Sequence, residues 1–165
     1  MGLSLSTTLR TSWVLGFLIA SSWLLHSCDR RSPECDAYLA LSLTERQAES
    51  RKQPTEKQID MYLCAMRGEP PDLDLAYVIA DRGEAATPLL MDKLKITKDE
   101  MDQEDLIRVF EVMSEKGHLR GRTDVVSAIS DVVDQMKLAP IKEDSQELLK
   151  KIRINTGIKP FTYIP

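Results

Sequence analysis

Val125, Val126, Ile129, Val132, Val133 and Met136 recur at the spacing of one helix face, and runs that alternate with period two hardly appear along the chain. A stripe of this kind hides from water only against other helices, so it commits the chain to a helix-on-helix core. Helix punctuation repeats on both sides of it. Ser32 and Pro33 supply a cap and a first-turn proline ahead of Tyr38, Leu39, Ala40 and Leu43. Thr55-x-x-Gln58 reads as a capping box that opens a helix carrying Ile59, Tyr62, Leu63 and Met66, stopped by Gly68 and Pro70-Pro71. Leu75, Ala76, Val78 and Ile79 mark the next helix, up to Gly83. Another is expected from Glu84 to about Leu94, with Leu90, Met91 and Leu94 inward and Pro88 in its first turn. Thr97-x-x-Glu100 opens a further helical stretch, with Leu106, Val109, Phe110 and Met113 as its buried stripe before Gly117. The stripe from Val125 to Met136 ends at Pro140, and a last helix carries Leu148, Leu149 and Ile152 to Gly157. The expected fold class is all-α, with antiparallel helical hairpins.

The first 27 residues stand apart from this pattern. Residues 1–10 are polar with one cation, Arg10, and residues 13–25 are continuously apolar or small. Thirteen residues at about 1.5 Å each reach roughly 20 Å, short of the roughly 30 Å hydrocarbon core, so a signal peptide fits better than a permanent span. The remainder carries 21 Lys+Arg against 26 Asp+Glu, a net −5, with the cations scattered among acids. That balance opposes nucleic-acid binding, which needs a basic stripe to neutralise phosphates.

The apolar run ends in Leu25-His26-Ser27-Cys28, which resembles the lipobox of bacterial lipoproteins. Leu25, Ser27 and Cys28 match the pattern, and His26 is larger than the usual small residue. The resemblance implies cleavage before Cys28, lipid on its sulfur and its new amino group, and residence in the bacterial envelope on the periplasmic side. Asp29 resembles a signal that retains such proteins in the inner membrane. The N-terminal Met1-Gly2-x-x-x-Ser6 also satisfies a myristoylation pattern, but the apolar run directs export first. The expected organisation is a signal peptide over 1–27, a lipidated tether over 28–32, a helical domain over 33–157 and an extended, aromatic tail over 158–165.

With Cys28 acylated, Cys35 and Cys64 form an even pair in an oxidising compartment, open to a disulfide or to burial as two small apolar side chains. One unbroken helix to Arg51, folded back near Thr55, sets the two at heights differing by roughly 10 Å, beyond the roughly 7 Å limit for a bridge. A break near Ser42 or Thr44 removes that mismatch.

Residues 83–94 align with residues 121–132 at an offset of 38, with Leu90, Met91 and Leu94 falling on Ala128, Ile129 and Val132. The stretch Ala-Asp-Arg-Gly-Glu-Ala-Ala-Thr-Pro-Leu-Leu in the first copy resembles the interhelical turn and second helix of a HEAT repeat. The resemblance covers about half of the mature chain and implies a short α-solenoid. The Gly-Glu-Ala-Ala-Thr-Pro-Leu-Leu motif occurs once, which leaves an irregular helical bundle as the alternative.

Chemistry-bearing patterns are sparse. His118 is the one histidine beyond residue 27, and its place between Gly117 and Leu119 reads as an exposed interhelical turn. A nucleophile, base and orienting group are therefore not expected together, nor a metal or cofactor site. The acidic run 99–105 lacks the glycine and alternating ligands of a calcium loop and reads as a solvated helix start. No tryptophan and six aromatics beyond residue 27 are a poor platform for sugars. The functional expectation is a lipoprotein attached to the membrane through Cys28 and bound to another envelope protein as adaptor, scaffold or assembly factor. The alternative is an inhibitor or immunity-type lipoprotein that neutralises a periplasmic toxin.

Overall fold

In the computed structural model, which describes residues 32–158, Ser42 ends one helix and begins the next. Its hydroxyl accepts the Glu45 N–H, and the Glu45 carboxylate accepts the Ser42 N–H at 2.9 Å, a reciprocal capping box. Two helices result, α1 (Pro33–Leu39) and α2 (Leu43–Lys52), in place of one run to Arg51. The apolar side expected of that single helix is divided accordingly: Tyr38 is buried, whereas Ala40 and Leu43 are exposed. The corner is tied by the Tyr38 hydroxyl donating to the Arg46 carbonyl and by the Arg46 guanidinium donating to the Leu39 carbonyl.

The capping box expected at Thr55-x-x-Gln58 does not form, nor does Thr97 cap a helix with Glu100. α3 (Thr55–Met66) follows Pro54, and Thr55 is already its first helical residue. Gln58 is fully buried and turns away from the helix start; its amide donates to the Ser50 carbonyl at 2.8 Å and accepts from Arg82 at 3.2 Å. Arg82 also donates to the carbonyls of Arg51 and Gln53, so the end of α2 is satisfied from two later elements. Gln58→Ala leaves the buried Ser50 carbonyl without this donor, and a loss of about 1–3 kcal/mol is expected in urea unfolding. A loss no larger than that of the exposed Gln146→Ala speaks against the tie.

α4 (Asp74–Ala80) buries Leu75, Ala76, Val78 and Ile79 as expected. The following helix starts later than Glu84, because residues Gly83–Ala86 form a 3-10 turn and α5 spans Thr87–Ile96 with Pro88 at its start. α6 (Glu100–Glu115) is capped by Asp99, whose carboxylate accepts the N–H groups of Met101 and Asp102. Thr97 instead closes α5, its hydroxyl donating to the Lys93 carbonyl at 2.8 Å. Beyond the expected stripe of Leu106, Val109, Phe110 and Met113, α6 also buries Ile107 and Val112, which makes it the central helix. It ends in a glycine-centred C-cap: Gly117, at φ 80°, lets the His118 N–H reach the Met113 carbonyl. α7 (Thr123–Gln135) buries Val125, Val126, Ile129 and Val133, and α8 (Ala139–Thr156) runs to Gly157 with Leu148, Leu149 and Ile152 inward.

Packing is densest between α6 and α8, followed by α4 against α6 and α7 against α8. Side-chain ties fix the helix directions. Glu100 accepts the Lys137 and Leu138 N–H groups where α6 and α8 begin, and Asn155 reaches Ser114 where they end. Lys116 pairs with Asp81 at the ends of α6 and α4, and Gln47 meets Asp74 between α2 and α4. Helices α2, α4, α6 and α8 therefore run in the same sense. α3 runs against them: its C-terminal residues Tyr62 and Arg67 bond Asp105 and Asp102 at the start of α6. Among the described residues there is no strand, and no helix is long and apolar enough to cross a membrane.

Candidate functional site

The proposed lipidation site, Cys28, lies outside the described residues, as do residues 1–27, Asp29 and residues 159–165 of the tail. Ile158, the first residue of that tail, is described; it packs against the core, and its N–H bonds the Arg153 carbonyl.

Cys35 and Cys64 are brought together in a disulfide, with Cα atoms 5.7 Å apart. The corner at Ser42 makes this possible, because it frees α1 to lie beside the C-terminal turns of α3 instead of extending from α2. The bridge flanks a buried polar cluster. Asp72, in the connection between α3 and α4, is almost wholly buried, with Oδ2 lacking a protein hydrogen bond, and faces Arg46 and the Tyr38 hydroxyl. Burial, followed by the charge of Asp74, holds the Asp72 carboxyl above its ordinary range, and burial with the Asp72 charge does the same to the Tyr38 phenol.

A surface groove of about 200 Å³ lies between α3 and α5, lined by Glu56, Ile59, Asp60, Leu89, Asp92, Lys93 and Ile96. Its lining combines the buried Ile59 and the exposed Leu89 and Ile96 with Glu56, Asp60, Asp92 and Lys93. Of these charges, Asp60 is matched by Lys93 at 2.7 Å. The groove arises because α5 turns Leu90 and Leu94 to the core and leaves Leu89 and Ile96 on the other side. Leu89 and Ile96 carried no site signal in the sequence; the placement of α3 beside α5 is what makes them border a groove.

His118 is half-buried rather than exposed, its imidazole 3.5 Å from where a side chain on Gly83 would begin. Gly83 has φ 62°, so both its conformation and the ring beside it favour glycine there. His118 does not reach the groove lining. Among the described residues no three His, Cys, Asp or Glu side chains are placed to hold a metal ion.

The acidic run at the start of α6 is engaged rather than merely solvated. Asp99 caps the helix, Glu100 holds the start of α8, Asp102 pairs with Arg67 at 2.7 Å, and Glu104 pairs with Arg108 at 2.7 Å. Asp105 is partly buried, and its pKa is pushed up to about 7, first by burial and then by the charge of Glu104. The folded chain therefore holds this proton more tightly than the unfolded one, and stability falls as pH rises from about 4 to about 7. Asp105→Asn removes the charge and is expected to raise the urea midpoint at pH 8 while leaving it near wild type at pH 4. An equal difference at both pH values contradicts a buried carboxylate here.

No known protein family, curated protein or solved structure matches the chain.

Proposed function

We propose that the chain is a lipoprotein of the bacterial envelope, anchored through Cys28, whose helical body binds another envelope protein. The observation that carries this reading is Leu25-His26-Ser27-Cys28 directly after the apolar run of residues 13–25. The Cys35–Cys64 bridge, seven residues beyond the lipid site, supports an oxidising compartment. The like-directed helices α2, α4, α6 and α8 support a HEAT-like stack. So does the pairing of Gly83 with Gly121, which occupy equivalent places in the 38-residue offset and adopt φ 62° and 72°.

The partner surface in this reading is the groove between α3 and α5. Apolar Ile59, Leu89 and Ile96 beside the acids Glu56 and Asp92 suit a segment that presents apolar side chains flanked by Lys or Arg. Anchoring is tested by labelling cells with a clickable palmitate analogue. Label on the wild type and none on Cys28→Ala is expected; equal labelling of both sinks the anchor. Partner binding is tested by placing a photocrosslinker at Leu89 in native membranes. A discrete adduct that Glu56→Lys with Asp92→Lys abolishes supports the groove. The same adduct from the exposed Gln146 overturns it.

A further inference from the structure

We infer that the end of the bundle where α6 and α8 begin is a membrane-contact face, with Ile96, Met101 and Leu138 set into the lipid surface that holds Cys28. This deepens the lipoprotein reading and rests on it. The three side chains are 69%, 64% and 54% exposed, which places them among the most open apolar groups of the described residues. They come from three elements brought to one end. Glu100, next to Met101, accepts the N–H of Leu138 at 2.8 Å, and Gln103 donates to the carbonyl of Thr97, the neighbour of Ile96, at 2.9 Å.

The chain enters the body at this same end. Cys35 is bridged to Cys64 near the C-terminus of α3, and Arg67, the next turn on, pairs with Asp102 beside Met101. Cys28 precedes Cys35 by seven residues, a reach of at most about 25 Å. A lipid on Cys28 therefore keeps this end, among all exposed apolar groups, within easy range of the bilayer surface. Charge agrees with that occupant. Beside Met101 and Leu138 the acids are turned to internal use, Asp99 on the α6 start, Glu100 on the α8 start and Asp102 on Arg67, whereas Glu56 and Asp92 line the groove that Ile96 borders. Among the described residues Lys95 and Lys98 have no carboxylate partner, which leaves cations at the rim to meet anionic headgroups.

Depth-dependent fluorescence tests the face. Both tryptophans, Trp13 and Trp23, precede Cys28, so the processed chain contributes no native indole emission. Met101→Trp, Leu138→Trp and, as control, Ile154→Trp at the far end of α8 are purified from membranes and reconstituted into vesicles of phosphatidylcholine and phosphatidylglycerol with brominated acyl chains. Residues seated in the interface are expected to lose about half or more of their emission, and Ile154→Trp to keep its own. Lys95→Glu with Lys98→Glu is expected to reduce the quenching of Met101→Trp. Equal quenching at all three positions, or none, overturns the face while a diacylglyceryl mass on Cys28 in the same sample upholds the anchor. Absence of that mass overturns both. Shielding of Met101→Trp from acrylamide in detergent, with a doubled particle mass, assigns the face to a second copy and also overturns the lipid contact.

Discussion

Phe110→Ala is expected to lower the stability of the helical body by about 3–5 kcal/mol, the cost of the lost transfer free energy plus the cavity left behind. Phe110 is fully buried on α6, the helix against which α3, α4, α5 and α8 all pack. Its place can be filled only by moving several helices at once, so little of the cavity should collapse. Domains of this size are stable by about 5–15 kcal/mol, and the variant is thus close to the limit of folding at 37 °C. Urea unfolding followed by helical circular dichroism measures the change as a lower midpoint at unchanged slope. Ile154→Ala, on an exposed face of α8, is expected within about 0.5 kcal/mol of wild type. A Phe110→Ala effect under 1 kcal/mol contradicts a central α6.

The same residue shows how the core was legible in the sequence. Leu106, Val109, Phe110 and Met113 sit at helical spacing, as do the α7 and α8 stripes, and burial follows that spacing because a helix turns its face by a fixed angle per residue. Patterns that name a partner were less reliable. Thr55-x-x-Gln58 and Thr97-x-x-Glu100 satisfy the local rule for a capping box, yet Gln58 serves Ser50 and Arg82, and Glu100 serves Lys137 and Leu138. A long amide or carboxylate that can reach its own helix start can equally reach another element, and the choice depends on packing that local sequence does not encode. Ser42, one of the two positions where a break was expected, does form the box with Glu45, on an exposed corner. The groove was illegible for a related reason. Leu89 and Ile96 sit beside core residues on α5, and only the placement of α3 decides that they border a concavity.

The corner at Ser42 also governs the second large effect. Replacing Cys35 and Cys64 together by Ser is expected to cost roughly 3–4 kcal/mol, the chain entropy returned to the unfolded state when a loop spanning 29 residues is released. α1 has seven residues, too few to persist as a helix in water without packing. Its native contacts include the bridge, the buried Tyr38 ring and the hydrogen bonds at the corner with Arg46. Two thermodynamic routes lead from the loss of the bridge. If α1 stays docked, the full penalty appears in global unfolding, and amides throughout α3 and α6 exchange faster by the same factor. If α1 detaches first, the body unfolds from a state already lacking it, and the global penalty shrinks while α1 amides lose protection. Tyr38 and the buried Asp72 favour the first route, because undocking α1 would expose both the ring and the Arg46 corner. Hydrogen exchange on the double Ser variant distinguishes the two. A global loss below 1 kcal/mol with α1 amides still protected contradicts both, and with them the role of the bridge in holding this domain together.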